Sequence, residues 1–319
     1  MNTSLKATLF YRGLIRRRTP GPIEVQAEIT NRCNLACVMC PGRLMDLPQE
    51  DMPGRIFEEV VRNLHGVRYL GLTGWGEPLA HPRLLDFIHM AKTAWPDLKV
   101  RLTTNGLMLS AEMARELIRA GVDRIAISLD RVEGEHGPGH EKPSQVQTVV
   151  EGFLKARGSA GRPTLVLQTT LHKGGLEDVL EVVRFAIWAG ADAVNLVRLD
   201  NRVVPLARPS ASEERMIVKQ ARKVGKGRVA SVNRRSLPVF LATRGDSVCL
   251  RTLYHVYIDV RGNVSPCCLM REAVMGNIMM QPLDQIWRSE KFTRFFREQG
   301  GVCGECDALR IRHRRPDTP

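Results

Sequence analysis

The chain has 319 residues, 43% of them hydrophobic, with 47 Lys and Arg against 34 Asp and Glu for a formal charge of +13. That length allows one large or two ordinary domains with a proper core, and no run approaches the roughly 18 apolar residues that a membrane-spanning helix needs. Eight cysteines in the arrangement below suit metal clusters better than disulfides, which points to a reducing, cytoplasmic setting.

Up to Gly21 the chain has no acid and carries Arg12, Arg16, Arg17 and Arg18 among Leu9, Phe10, Leu14 and Ile15. This basic N-terminal segment, residues 1–22, lacks the apolar core of a secretion signal. It suits a short helix packed beneath the main domain, with a transit peptide or a weak membrane-surface contact as alternatives. Residues 23–29 alternate like a half-buried strand and run through Thr30-Asn31-Arg32 into Cys33-Asn34-Leu35-Ala36-Cys37-Val38-Met39-Cys40. Three thiolates so close in sequence can fold around one metal centre, because each sulfur is a soft, charged ligand. A structural zinc or a cubane cluster normally takes four protein ligands, yet the next cysteine is Cys249. One position is therefore left open, unless a distant His or Cys completes a zinc loop.

Strand and helix signals then take turns, with helices over 56–64, 81–94, 111–120, 145–155 and 176–188 separating strands over 67–73, 99–104, 124–130, 165–171 and 193–197. With the first strand this makes six, and such alternation predicts a parallel sheet with helices outside it. The strand ends are polar. The second ends in Thr73-Gly74-Trp75-Gly76-Glu77-Pro78, the third in Thr103-Thr104-Asn105-Gly106 and the fourth in Ser128-Leu129-Asp130. The fifth carries Gln168 and Thr170, and the sixth Asn195 and Val197. Taken singly, each end is equally a turn or the cap of the following helix.

Between Arg202 and Arg235 ten Lys and Arg stand against two Glu, and the tail from Arg310 to Arg315 adds four arginines. Such a field favours an anionic substrate, an acidic reductant or nucleic acid, or is a solvated basic face. A helix is predicted over 210–226, with Ser212 as its N-cap and Ile217 and Val218 buried, and a strand over 228–232. Composition then changes. Twelve residues separate Cys249 from Gly262 and four separate Gly262 from Cys267, with Cys303-Gly304-Glu305-Cys306 further on. Residues 254–259 and 264–266 flank Arg261-Gly262-Asn263 as a hairpin. Met275-Gly276-Asn277-Ile278 and a helix over 283–298 follow. Four cysteines also suit a zinc ribbon.

The cysteine spacing, its place after the first strand and the Trp75-Gly76-Glu77-Pro78 turn together resemble the radical S-adenosylmethionine (SAM) superfamily. Met39 stands where an aromatic residue is usual, and Trp75 where the first glycine of the family's turn is usual. The second half resembles the cysteine-rich SPASM extension in its shortened "twitch" form, since no cysteine follows Cys306. The resemblance runs from residue 23 to 306. It implies an α/β fold: a partial (β/α)6 TIM-like barrel over 23–235 and a small C-terminal Cys-rich β-hairpin/helix module over 236–319. It implies a [4Fe-4S] cluster held by Cys33, Cys37 and Cys40 with SAM on the fourth iron. An auxiliary [4Fe-4S] cluster falls to Cys249, Cys267, Cys303 and Cys306, with adjacent Cys268 as spare or true ligand. Gly74, Gly76, Glu77, Pro78, Thr104, Asn105, Ser128, Asp130, Gln168 and Asn195 are the SAM-binding candidates.

By the same resemblance, SAM is cleaved reductively to a 5′-deoxyadenosyl radical that takes hydrogen from a substrate. A full auxiliary ligand set leaves no iron for substrate, so that cluster is expected to accept an electron. The net reaction is then a two-electron oxidation of a small polar metabolite, served by a flavodoxin- or ferredoxin-type reductant. His172, Asp200 and His255 are base candidates by strand-end or hairpin position. The alternative is a maturase acting on a ribosomal peptide or a protein side chain. From another class comes a basic, metal-stabilised nucleic-acid-binding protein without catalysis, against which the lack of aromatic–basic interleaving counts.

Overall fold

The computed structural model describes residues 21–44, 47–132, 143–199, 207–226, 239–241 and 250–302. The basic N-terminal helix, the strand over 228–232, Asp200, Cys249, Cys303, Cys306 and the arginine tail lie outside the described residues. In β1 (Glu24–Ala27) and the residues after it, Val25, Ala27 and Ile29 join the main hydrophobic core. Glu24, Gln26 and Glu28 fall on the opposite face, because side chains alternate along a strand. The sheet continues in chain order through β2 (Tyr69–Leu72), β3 (Lys99–Thr104), β4 (Arg124–Ser128), β5 (Thr164–Leu171) and β6 (Ala193–Arg198), each parallel to the last. Glu24, Gly71, Arg101, Arg124, Gln168 and Asn195, one from each of these strands, border a single cavity. The sheet is therefore curled around a lumen: the alternation foretold the parallel sheet, and the family resemblance the partial barrel.

Helices α1 (Pro41–Leu44), α2 (Gly54–Arg62), α3 (Leu84–Ala94), α4 (Ala111–Arg119), α5 (Pro143–Arg157), α6 (Leu176–Ala189) and α7 (Ala211–Val224) fill the connections. Their buried faces repeat at helical spacing. Ile56, Phe57, Val60 and Val61 of α2 meet Leu84, Phe87, Ile88 and Ala91 of α3, and the Phe57 and Phe87 rings stack 4.1 Å apart. Each ring so buried contributes about 1.5–3 kcal/mol. Ser212 does not cap α7. Ser210 does, in a reciprocal box with Glu213, because the Ser-x-x-Glu spacing starts there.

Two edges extend the sheet beyond the six strands. A short β7 (Val239–Leu241) pairs in parallel with β6. On the other side β8 (His255–Ile258) pairs in parallel with β1, and β9 (Asn263–Ser265) and β10 (Gly276–Asn277) follow antiparallel. The predicted hairpin is thus β8–β9, and it continues the barrel sheet directly. Its turn closes at Gly262, whose φ of 82° suits glycine. The Asp259 carboxylate accepts the Arg261 and Asn263 amides at 2.9 Å each. The helix expected over 283–298 is two helices, α8 (Leu283–Arg288) and α9 (Glu290–Val302). Ser289 between them leaves the helical region at ψ 154°, and its hydroxyl accepts the Phe292 amide.

Candidate active site

The loop after β1 is pinned at both ends before its cysteines are considered. The Thr30 hydroxyl donates to Asp51 Oδ1 at 2.6 Å, and the Asn31 amide donates to the Glu50 carbonyl at 3.1 Å. Between these anchors Cys33 is exposed, Cys37 and Cys40 are half-buried, and all three are free of disulfides. The Cys40 amide donates to the Cys37 carbonyl at 3.0 Å, which turns the chain back on itself. Cys33 Sγ accepts the Leu35 amide at 3.5 Å and lies 4.0 Å from Asn105 Nδ2. Hydrogen bonds of this kind tune thiolates that ligate iron–sulfur clusters.

The glycine turn after β2 is pressed onto this loop. A Cβ at Gly76 would lie 2.5 Å from the Thr30 and Arg32 carbonyls, and one at Gly74 would overlap the Glu28 side chain, so only glycine fits. The Glu77 amide donates to the Arg32 carbonyl at 2.8 Å. The Glu77 carboxylate is buried at the root of the turn. It accepts the Thr104 hydroxyl at 2.6 Å, the Asn105 amide at 2.8 Å and the Leu79 amide at 3.0 Å. Burial pushes this carboxyl above its usual range, against the pull of those three donors. Glu77 therefore ties the end of β2 to that of β3, and Asn105 passes the tie on to Asn34 in the cysteine loop at 2.8 Å. Pro78 opens the 3-10 turn Pro78–Ala80 and is buried.

The remaining strand-end residues fall in two groups. Gln168 and Asn195 border the lumen with Gly74, and the Asn195 amide donates to Gln168 Oε1 at 2.9 Å. Ser128 lies beside Gln168 in the β4–β5 register, while Asp130 Oδ1 accepts the Thr170 amide at 2.5 Å and joins the two strand ends. The histidines stand apart. His172, just past β5, has Nε2 3.3 Å from Asp178 and Nδ1 3.1 Å from the Lys173 carbonyl. His255 is fully buried at the first residue of β8, level with Glu24, at the sheet end away from the cysteine loop. Its Nε2 lies 2.8 Å from an Arg251 nitrogen, so that atom is the acceptor and Nδ1 faces the Pro266 carbonyl at 3.4 Å. Neither histidine borders the lumen.

Contacts that the sequence did not foretell hold the second half against the first, and Arg271 among their residues was not singled out at all. The Trp75 indole packs against Gly42, just after Cys40, and donates to the Cys268 carbonyl at 3.2 Å. Glu28, wholly buried, accepts the Trp75 amide at 2.8 Å and Arg271 at 2.6 Å. Burial raises the Glu28 carboxyl's pKa more than Arg271 and the Trp75 amide lower it. Cys267 is buried, whereas Cys268 reaches the lumen wall. Arg101 and Arg124 fall within predicted strands, but the sequence did not single them out, and only the register and the cavity show that both face the lumen.

Three thiols on a turned loop, with a glycine-only cradle beside them, fit a cluster that shares an iron with a small ligand. Chemistry of that kind belongs to iron–sulfur enzymes built on half-closed βα barrels. Residues 27–186 match the Radical SAM superfamily, and residues 249–307 match SPASM, an iron-sulfur cluster-binding domain. The chain belongs to the radical SAM superfamily and carries a SPASM domain. Its cofactors are accordingly a [4Fe-4S] cluster with SAM and an auxiliary iron–sulfur cluster.

Over 174 residues the chain is 32% identical to GTP 3′,8-cyclase of Mycobacterium marinum, which takes in 52% of this chain and 48% of that protein, about half of each. It is 26% identical over 334 residues to the AdoMet-dependent heme synthase of Methanosarcina barkeri, covering 92% of this chain and 90% of the relative. Among solved structures, Streptococcus suis SuiB bound to S-adenosylmethionine aligns with a TM-score of 0.70 at 15% identity, over 96% of this chain and 75% of SuiB. BtrN in complex with AdoMet and 2-DOIA aligns at 0.54 and 18%, over 92% and 93%. These structural likenesses are likenesses of fold. No helix among the described residues is long and apolar enough to cross a membrane.

Proposed function

We propose that the chain carries out a two-electron oxidation of a small polar metabolite held in the barrel lumen. The observation that carries this reading is the lumen itself, about 390 Å³, walled by Gly74 of the glycine turn and by Cys268 of the hairpin. Small-molecule pockets run to about 300–1,000 Å³. When bound, the cluster and SAM supply a 5′-deoxyadenosyl radical that removes a substrate hydrogen atom. The chain's own residues hold and orient. The backbone from Gly74 to Gly76 offers close approach to SAM, while Gln168 and Asn195, fixed on each other, offer amide groups to a polar ligand. Cys268 at the lumen wall brings the hairpin, with Cys267 as its proposed ligand, next to the substrate space, which suits an electron-accepting auxiliary cluster. Of the base candidates, Asp200 follows β6 by two residues in the sequence, whereas His172 and His255 are engaged elsewhere. A flavodoxin- or ferredoxin-type protein would deliver the first electron.

Maturation of a peptide or protein side chain is the second reading, favoured by the same lumen size, since one inserted side chain would fill it. SuiB is described bound to the precursor peptide SuiA. Deuterium transfer into 5′-deoxyadenosine from labelled candidates separates the two. Transfer from a small metabolite with product formation supports the first. Transfer from a peptide alone, or a product unchanged in oxidation level, refutes it.

A further inference from the structure

The alternation that turns Val100 and Leu102 into the core turns Arg101 into the lumen, and the register sets it directly beside Arg124 on β4. Arg251, from the turn before β8, reaches the same cavity. Among the described residues bordering the lumen Glu24 is the one acid, 3.8 Å from Arg101 and 3.5 Å from Arg251. Arg198 at the rim is neutralised outside the lumen by both oxygens of Glu214. Two positive charges are thus in excess on the lumen floor. Arg101 lies over the Tyr69 ring at 3.7 Å, and Arg251 donates to Gln26 at 2.8 Å. The Arg124 guanidinium, unlike its backbone, forms no hydrogen bond or ion pair with any described residue. Burial, and then the nearby Arg101, lower its pKa, with Glu24 opposing them.

Like charges side by side on neighbouring strands repel, and an unpaired guanidinium withdrawn from water is costly. A fork of guanidinium donors is the geometry that recognises carboxylate and phosphate oxygens. We infer that Arg101, Arg124 and Arg251 form an oxyanion-binding floor and that the substrate carries a carboxylate or phosphate group seated on it. The inference rests on the lumen being the substrate pocket of the function proposed above. Arg101 pairs with Gly71, three residues before Gly74, so the backbone that carries the floor lies about 10 Å below the glycine turn at 3.3 Å per residue.

The test titrates inorganic phosphate and citrate, at fixed ionic strength, into the parent, Arg101→Gln, Arg124→Gln and Arg124→Lys. Lys219→Gln on the exposed side of α7 controls for general surface charge. Arg251 is left alone because it also holds Gln26 and His255. Affinity for the better-bound anion should fall at least tenfold in both glutamine variants, less in Arg124→Lys and not at all in Lys219→Gln. Arg124→Gln should unfold at or above the parent's urea concentration, since it removes an unpaired charge that faces Arg101. Unchanged affinity in the glutamine variants overturns the inference, and so does a large loss of stability in Arg124→Gln. Reductive SAM cleavage by the parent is assayed separately. Anion binding without SAM cleavage overturns the proposed function and leaves the floor standing, whereas SAM cleavage without lumen anion binding overturns the floor alone.

Discussion

Replacing Glu28 with alanine should destabilise the protein by about 4–6 kcal/mol. The carboxylate is fully buried and accepts Arg271 at 2.6 Å and the Trp75 amide at 2.8 Å. Without it, Arg271, only 11% exposed, keeps the Tyr257 hydroxyl at 3.2 Å and Asp259 at 3.9 Å. Removing one partner of a buried ion pair costs about 3–5 kcal/mol, and the orphaned Trp75 amide adds about 1 kcal/mol. Because burial outweighs pairing in setting the Glu28 pKa, the pair is itself an expensive arrangement. The double variant Glu28→Met/Arg271→Met should therefore recover at least half of the loss. A carboxyl whose folded pKa lies above 4.5 favours the fold in its neutral form. That contribution is complete below 4.5 and fades as pH rises through the folded value. The parent should accordingly gain on the double variant as the pH is lowered toward that value. Urea unfolding followed by tryptophan fluorescence, under anaerobic conditions, measures the parent, Glu28→Ala, Glu28→Met, Arg271→Met and the double variant. A single-variant cost below about 1 kcal/mol, or a double variant equal to the sum of its parts within about 0.5 kcal/mol, would refute the account.

With two cubanes the reconstituted protein should carry about eight irons, and Cys33→Ala/Cys37→Ala/Cys40→Ala should keep about half of them while losing SAM cleavage; iron and 5′-deoxyadenosine analysis decides, and loss of all iron would contradict it. Glu77→Gln keeps an acceptor for Thr104 and Leu79 but turns an amide donor toward the Asn105 amide, so stability should fall by about 2 kcal/mol and SAM affinity with it, at unchanged iron content. Equilibrium dialysis with SAM checks this, and an unaltered affinity would remove Glu77 from the site. Cys267→Ala should lose the auxiliary iron and Cys268→Ala should retain it, since the former side chain is buried and the latter lies at the lumen wall; equal losses would contradict that assignment. At Asp123 burial raises the pKa, but Lys92 at 2.6 Å, the Val100 amide and Lys99 together bring it below 3.8. Its stabilisation is then present above 3.8 and lost as pH falls through the folded value, so the stability gap between parent and Asp123→Asn, about 1–3 kcal/mol near neutrality and read from urea unfolding, should close in acid.

The parts of this architecture carried by local pattern were readable in the sequence. The strands β1 to β6 announce themselves by apolar runs between capped helices, and the cysteine loop by spacing alone. What escaped depends on contacts between distant residues. Nothing local in residues 255–258 says that they pair in parallel with β1, because that pairing joins the two ends of the described chain. The Glu28–Arg271 pair spans 243 residues and leaves no trace in either neighbourhood. Arg101 alternates with buried Val100 and Leu102, but nothing local says that its face lines a cavity or that Arg124 stands beside it, because that depends on the closure of the sheet. The choice of Ser212 as cap is instead a local misreading, because the glutamate three residues after Ser210 marks Ser210.

The pairing of β8 with β1 has a consequence for how the chain protects itself. A barrel lacking residues after 250 would end in β1, four residues whose outer amides and carbonyls, now bonded to β8, would face solvent. Open edges of that kind recruit other strands and seed aggregation. The hairpin therefore acts as a guard rail for the barrel's first strand, whatever its metal does. The last strand of that guard, β10, is only two residues long. So short an edge offers a stray strand little to grip.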